Sequence, residues 1–508
     1  MNGLNFSSSQ GRARLPQRAA SRADWLRRAE NRRALPFVVL ALLLAGLTCS
    51  LPAAEPRPNI IIILADDLGY GDLGCYGHPK FKTPHLDRMA AEGARLTQFN
   101  CPAPFCAPTR ASLMTGRYPF RCGMMANPAP DGGLIADALA LPASEITLAQ
   151  LFKQSGYATG MVGKWHLGHK RPEQMPTGRG FDEYLGILYS NDMRPVQLMD
   201  GTNVTEYPLA QATLTRRYTE RALSFIERNK AKPFFLYFPQ VMPHKPLATT
   251  EKFYKQSGAG LYGDVLADLD TSVGEVLAKV KALGLDERTL VMFSSDNGPW
   301  FGGSTGGLRG MKGSSYEGGY RVPCLARWPG KIPAGHVSHA PAVMMDLFAT
   351  ALRAANIAPP ADRVIDGRDI LPLLASAAPS PHAAIFGHQG PVLATARDAR
   401  WKLHVRAPRD GMASLHKPGE RWIDPRGPDG VTILAPYEQY QPSDHPGLRT
   451  GDASQPMQLF DLQTDPGEQK DVAAQHPEIV ARLKALYDET NRHVPAPPEP
   501  PAKSKPGK

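Results

Sequence analysis

Hydrophobic positions in this chain gather into short unbroken runs, and the most prominent of them each lead into a polar group. Residues 59–65 (NIIIILA) form an Ile/Leu run, the pattern of a strand buried on both faces, as in parallel sheets. It stops at Asp66-Asp67-Leu68-Gly69. Residues 290–295 (LVMFSS) stop in the same way at Asp296-Asn297-Gly298. Residues 158–162 lead into Gly163-Lys164-Trp165-His166, and residues 233–238 into Met242-Pro243-His244-Lys245. Four predicted strands therefore deliver charged or metal-binding groups near their carboxyl ends. In open α/β sheets the crevice beyond those ends is where ligands bind, so residues far apart in sequence are expected to converge.

Helical periodicity lies between these runs. Thr83-Pro84 reads as an N-cap followed by proline at the first helical position, with Leu86, Met89 and Ala90 on one face before Gly93. Residues 147–155, closed by Gly156, and residues 265–283, closed by Gly284, carry the same signature. The alternation predicts an α/β fold with a large, mostly parallel sheet flanked by helices, spanning residues 55–380. From about Ala384 the texture changes: 392–405 and 457–461 read as short strands and 476–492 as a closing helix. That is a smaller α+β unit, residues 381–493. Residues 494–508 (VPAPPEPPAKSKPGK) read as a disordered tail.

Composition adds bounds rather than chemistry. At 508 residues, 42% hydrophobic and 21% charged, the chain is long enough for a large core, which excludes a disordered or short disulfide-scaffold protein. The net charge of +10 suggests nucleic acid until it is located: eight arginines against Asp24 and Glu30 place +6 of it in residues 1–54. No basic stripe interleaved with aromatics follows, so nucleic-acid binding is not expected. The basic stretch ends at Arg33, an uncharged run covers residues 34–49, and Pro52-Ala53-Ala54 supplies small residues for cleavage. This reads as an export signal over residues 1–54, with an uncleaved anchor as the alternative. Export would let Cys75, Cys101, Cys122 and Cys324 form disulfides, in any of three pairings.

Cys106 stands apart. It opens Cys106-Ala107-Pro108-Thr109-Arg110, where Pro108 suits a first helical turn and Gly116 a stop. The cysteine is thereby expected at a helix N-terminus, which favours an anion. Asp66, Asp67, Asp296 and Asn297 offer oxygen donors only, which suits a hard cation, Ca²⁺ or Mg²⁺, rather than zinc. Arg110, Lys164, His166, His244 and Lys312 supply positive charge for an anionic substrate.

Cys-x-Pro-Thr-Arg with the following Thr115-Gly116-Arg117 resembles the sulfatase signature, with threonine where serine is more frequent. Asp66-Asp67, Gly163-Lys164-Trp165-His166-Leu167-Gly168, His244, Asp296-Asn297-Gly298, Gly310-Met311-Lys312-Gly313 and Tyr316-Glu317-Gly318-Gly319 follow in that family's order. The last of these and Leu185 through Ser190 are similar to the arylsulfatase A-type branch. Leu459-Phe460-Asp461-Leu462 with Asp465-Pro466-Gly467-Glu468 resembles the family's C-terminal part.

The resemblance implies an alkaline-phosphatase-like core and hydrolysis of a sulfate monoester. It implies that a formylglycine-generating or other sulfatase-maturing enzyme oxidises Cys106 to formylglycine, and that Asp66, Asp67, Asp296, Asn297 and the residue-106 oxygen hold Ca²⁺, or alternatively Mg²⁺. It further implies that Arg110 and Lys164 hold the formylglycine hydroxyls, that Lys312 and His244 contact sulfate and assist the leaving oxygen, that Asp296 is the base and that His166 helps release sulfate. Ser190 is placed at the sulfate. A sulfated small molecule or glycan is the expected substrate. The competing readings are a phosphate or phosphonate monoester hydrolase with the same site, and a non-catalytic sulfated-glycan binder. The oligomeric state has no signature in the sequence.

Overall fold

The computed structural model describes residues 57–130, 139–410, 439 and 447–495. The expected export signal, residues 1–54, and the tail beyond residue 495 lie outside them.

Strands are numbered in chain order: β1 Asn59–Ala65, β2 Ala94–Leu96, β3 Phe99–Asn100, β4 Ala158–Val162, β5 Glu183–Gly186, β6 Leu198–Asp200, β7 Asn203–Glu206, β8 Phe234–Pro239, β9 Thr289–Ser295, β10 Cys324–Arg327, β11 His336–Ser338, β12 Ala342–Val343, β13 Ile385–Gln389, β14 Val392–Arg397, β15 Trp401–His404 and β16 Gln458–Asp461. Ten of them form one sheet in the order β11-β2-β10-β9-β1-β8-β4-β5-β6-β7. The five central strands, β9 to β5, run parallel, and antiparallel pairs flank them on both sides. This is the large, mixed, mostly parallel sheet that the alternating pattern predicts.

β1 shows why an unbroken apolar run belongs there. Successive side chains point to opposite faces, so Ile60, Ile62 and Leu64 enter one core and Ile61, Ile63 and Ala65 the other. Each is fully buried, and each isoleucine contributes roughly 1.5–3 kcal/mol by leaving water. Helices Cys106–Thr115, Leu148–Gln154 and Asp346–Ala354 cover the first face; helices Pro84–Ala91, Leu214–Asn229 and Gly260–Ala282 cover the second. A second, antiparallel sheet, β13-β14-β15-β16, packs with helix Pro477–Asn491 around Leu393, Leu403, Leu459, Leu483 and Tyr487. Tyr118, Phe120 and Val343 from the larger part complete that cluster.

Several local expectations shift. The run 392–405 is two strands, because the Asp398 carboxylate accepts the N–H groups of Arg400 and Trp401 and turns the chain. β13 has no sequence signal because Gly387 and His388 break its apolar run. Helix Gly260–Ala282 starts five residues before the expected 265. Its first turn holds Gly260 and Gly263, which read as breakers, yet Leu261 and Tyr262 are buried there and tertiary packing decides. Thr83 precedes helix Pro84–Ala91, but its hydroxyl bonds to Asp87 (2.9 Å) and to the Gly74 N–H (2.9 Å) instead of capping. Cys75, Cys101, Cys106, Cys122 and Cys324 are all free thiols. Cys101 and Cys122 turn their sulfurs toward backbone carbonyls, those of Tyr320 and Pro119.

Candidate active site

The carboxyl ends of four adjacent strands, β9, β1, β8 and β4, open onto one buried polar cluster. β1 ends at Ala65, and the chain turns sharply because Asp67 adopts a left-handed conformation, φ 63°. That conformation is uncommon for a residue with a Cβ and marks a position held by its surroundings. Here the holders come from the neighbouring strand: the Asp67 N–H donates to Asp296 Oδ1 at 3.3 Å and the Leu68 N–H to Ser295 Oγ at 2.9 Å.

β4 delivers its groups through a glycine. A Cβ on Gly163 would lie 1.7 Å from the Pro239 carbonyl oxygen, so only glycine lets the chain pass β8 before Lys164. Lys164 Nζ then reaches Asp66 Oδ2 at 2.5 Å and Ser190 Oγ at 2.6 Å. Helix Cys106–Thr115 ends at Gly116, φ 72°, and presents both Cys106 and Arg110 to the cluster. Arg110 donates from Nε to Asp296 Oδ2 (2.9 Å) and from Nη1 to the Lys164 carbonyl (3.0 Å), and its Nη2 lies 3.6 Å from Asp66. Cys106 Sγ sits 3.4 Å from Asp66 Oδ1, and Lys312 Nζ sits 3.5 Å from the sulfur and 2.6 Å from Asp67 Oδ1. Asn297 Nδ2 donates to Asp67 Oδ1 at 2.7 Å.

Two histidines occupy different stations. His244 Nδ1 faces the Lys245 carbonyl (2.6 Å) and Asn191 Oδ1 (3.0 Å), which places the proton on Nδ1. Its Nε2 points inward, 3.4 Å from Ser190 Oγ and 3.7 Å from Asp67 Oδ2. His166, also left-handed at φ 65°, bonds through Nε2 to the Pro128 carbonyl at 3.2 Å and leaves a buried Nδ1 without a partner.

The electrostatics follow from burial and from which charges touch. Burial penalises the Asp66 carboxylate, but Lys164, His244 and Arg110 overcome it and hold the group far below the usual range. Burial and the nearby Asp66 push Asp296 upward despite Arg110. Burial, then Asp296, pushes the Cys106 thiol well above its ordinary range, so the unmodified sulfur is protonated at neutral pH. Burial works against the Lys164 and Lys312 ammonium groups, yet Asp66 and Asp67 respectively raise both. Burial, with Lys164 and Arg110 nearby, keeps His166 neutral.

Every sequence-selected residue lies at this crevice or, for His166, beside it. One oxygen, nitrogen or sulfur from each of Asp66, Asp67, Cys106 and His244 falls within a 4.8 Å group able to surround a cation. His244 was not expected in that group. Asn297 supports the same reading, because its buried Oδ1 has no protein partner. Asp296, expected as a ligand, is not in the group: its Oδ1 accepts the Asp67 N–H and its Oδ2 is engaged by Arg110. The oxygens of Asp66, Asp67 and Asn297 fit a hard divalent ion, whereas the Cys106 sulfur and His244 nitrogen are not its typical donors. Three carboxylates meet three fixed cations, Arg110, Lys164 and Lys312, so the cluster is neutral by itself and becomes anion-seeking once a divalent ion joins it.

Two contributors escape sequence reading. Asn191 orients His244 and is itself held by Gln211 and the Pro246 carbonyl. Asn127 Oδ1 accepts the Ala107 N–H at 3.0 Å and so takes one of the helix donors expected to face an anion. Neither ends an apolar run or belongs to one of the family motifs, the two signals that select the other residues.

A family model described as Sulfatase matches residues 58–357. The chain is 40% identical over 394 residues to the N-acetylgalactosamine-6-sulfatase of Canis lupus familiaris, covering 72% of this chain and 75% of that protein. It is 37% identical over 489 residues to arylsulfatase A of Homo sapiens, covering 87% and 89%. Among solved structures it is similar to Ps i-CgsB in complex with k-i-k-neocarrahexaose, with a TM-score of 0.69 and 26% identity, covering 86% of this chain and 94% of the other.

Proposed function

The chain belongs to the sulfatase family, in its arylsulfatase A-like branch, and is a sulfuric ester hydrolase; we propose that it cleaves carbohydrate sulfate monoesters using a formylglycine made from Cys106 and a divalent cation. The observation that carries this reading is the convergence of Lys164, Lys312, Arg110 and His244 on Cys106 and the Asp66-Asp67 pair, all buried at the ends of four adjacent strands.

Asp66, Asp67, Asp296 and Asn297 would hold the cation, Ca²⁺ in preference to Mg²⁺ because Ca²⁺ accepts carboxylate and amide oxygens in flexible geometry, whereas Mg²⁺ demands a near-ideal octahedron. When present, the cation and the hydrated aldehyde supply a Lewis acid and an oxygen nucleophile. The chain's own groups do the rest. Lys164 and Arg110 fix the side chain at position 106. Lys312, placed between Asp67 and position 106, stabilises charge on the sulfate and on the departing ester oxygen. His244, with Nδ1 anchored, directs Nε2 at the same oxygen. Asp296, raised in affinity for protons, serves as the base, and His166 keeps an unpartnered Nδ1 for the later proton transfer. Ser190, held by Lys164, borders the sulfate.

A carbohydrate ester is favoured because one similar protein is named an N-acetylgalactosamine-6-sulfatase and another is in complex with k-i-k-neocarrahexaose. Maturation requires a formylglycine-generating or equivalent enzyme, and export is part of the reading, resting on the Arg-rich and apolar pattern of residues 1–54. The test is the mass of the tryptic peptide containing Cys106 from protein purified from its own host, with parallel turnover of 6-O-sulfated N-acetylgalactosamine, an aryl sulfate and an aryl phosphate. An aldehyde with preferential sulfate release supports the proposal. A thiol, or faster phosphate release, overturns it.

A further inference from the structure

The Asp465-Pro466-Gly467-Glu468 turn takes no part in the chemistry above, yet its glutamate is fully buried and directed at the loop that carries Lys312. Glu468 Oε2 accepts the backbone N–H of Glu317. Its Oε1 meets His404 Nε2 at 2.6 Å and Lys402 Nζ at 3.1 Å. Lys402 stands equally close, 3.1 Å, to Glu317 Oε1. The other Glu317 oxygen takes Arg321 Nε at 2.7 Å and Arg397 Nη1 at 2.9 Å. At the opposite end of the loop, Arg309 Nη1 donates to the Glu468 carbonyl at 3.0 Å, and the Gly318 N–H returns to the Arg309 carbonyl at 2.8 Å.

Arg397, Lys402 and His404 belong to β14 and β15, so the small sheet supplies half of a buried charge network whose other half is the Lys312 loop. Removing ions from water costs several kcal/mol each, and apolar residues would join two surfaces as firmly. What ionic hydrogen bonds add is direction. Direction matters at Lys312. Gly310 and Gly313 flank it with φ 78° and 82°, and its ammonium reaches Asp67 and position 106 only if the loop keeps its path.

We propose that Glu468 is a positioning residue for Lys312, holding the 309–318 loop through Glu317 so that the lysine ammonium faces the ester oxygen. It touches no substrate. The inference rests on the sulfatase reading of Lys312, whose help matters most for a poor leaving group.

The test is Glu468→Gln in the full, matured enzyme, which keeps shape and removes charge. Loss of leaving-group assistance lowers kcat/KM about thirtyfold for a sugar sulfate but only about threefold for 4-nitrophenyl sulfate, whose phenolate departs readily. Lys312→Gln gives the same pattern, and the double variant is no worse than Lys312→Gln alone. Backbone hydrogen exchange over residues 310–320 accelerates in Glu468→Gln. Equal losses on both esters, multiplicative losses in the double variant, or unchanged exchange would overturn the proposal. Should Glu468→Gln fail to fold, Lys402→Gln weakens the same carboxylate from its other side and is read identically. If the parent enzyme hydrolyses neither ester, the sulfatase reading fails, and the exchange measurement still decides the loop's anchor by itself.

Discussion

Arg110 shows how much one buried residue carries. Its guanidinium has no exposure to solvent and is bound to Asp296. Asp296→Ala leaves that charge without its main partner, at a cost of about 3–5 kcal/mol. The expected outcome is a marked fall in the denaturation midpoint together with loss of turnover; an unchanged midpoint would mean the pair contributes nothing net. His388 offers a cleaner titration. It is buried near the Phe120 and Tyr118 rings with neither ring nitrogen partnered, and burial pushes it down to about 3. The unfolded chain therefore takes up a proton near pH 6.5 that the folded chain refuses until about pH 3. Its share of stability is complete above pH 6.5 and is lost as pH falls, roughly 2 kcal/mol by pH 5. His388→Phe should flatten the pH dependence of urea midpoints between pH 7 and pH 5. An unaltered slope would show that the imidazole already finds a partner.

At the scale of elements, helix Leu148–Gln154 has only seven residues and depends on its cap. Thr147 Oγ1 accepts the Gln150 N–H while Gln150 Oε1 accepts the Thr147 N–H, a reciprocal capping box. Thr147→Ala should cost about 1 kcal/mol, read as about fivefold faster hydrogen exchange in this helix with kcat unchanged. Exchange at the parental rate would show that packing of Leu148, Leu151 and Phe152 holds the helix without its cap. Elements were also where sequence reading was strongest. β1 and β4 match their predicted runs residue for residue, β8 is displaced by one and β9 begins one residue earlier, since a continuous apolar run between polar stops has few other places to go. It failed where packing outvoted local preference: at β13 with its internal glycine, at the glycine-bearing start of helix Gly260–Ala282, and at helix Leu214–Asn229, whose polar composition hid its buried stripe.

For the whole molecule, the relevant quantity is charge at the crevice. Three carboxylates and three fixed cations balance, so a bound divalent ion should stabilise the fold and at the same time attract an anionic ester. Titrating Ca²⁺ into chelator-treated protein should raise the thermal midpoint with concentration, worth about 2.7 kcal/mol at a hundredfold excess over Kd. Mg²⁺ should give a smaller rise, since it demands stricter octahedral geometry. A midpoint indifferent to both ions would sink the cation assignment, and sulfatase turnover retained after chelation would do the same independently.

What the chain's sequence determined by itself were the strands, the polar residues at their ends and the family motifs, because each depends on neighbours within a few positions. Asp66 and Asp296 could be read as strand-end acids, and Lys164 and His244 as strand-end bases, without knowing that they meet. Only the tertiary structure decided that β9, β1, β8 and β4 lie side by side. That adjacency brings residues 66, 164, 244 and 296 together, and helix Cys106–Thr115 and the 309–318 loop bring residues 106 and 312 to the same buried cluster. It also decided which tautomer His244 adopts, through Asn191 and the Lys245 carbonyl, and that Glu468, far along the chain, grips the loop of Lys312. The reason is physical: burial removes water as a competing partner, so each charge must be answered by whichever group the fold places within about 3 Å, and no local pattern encodes that choice.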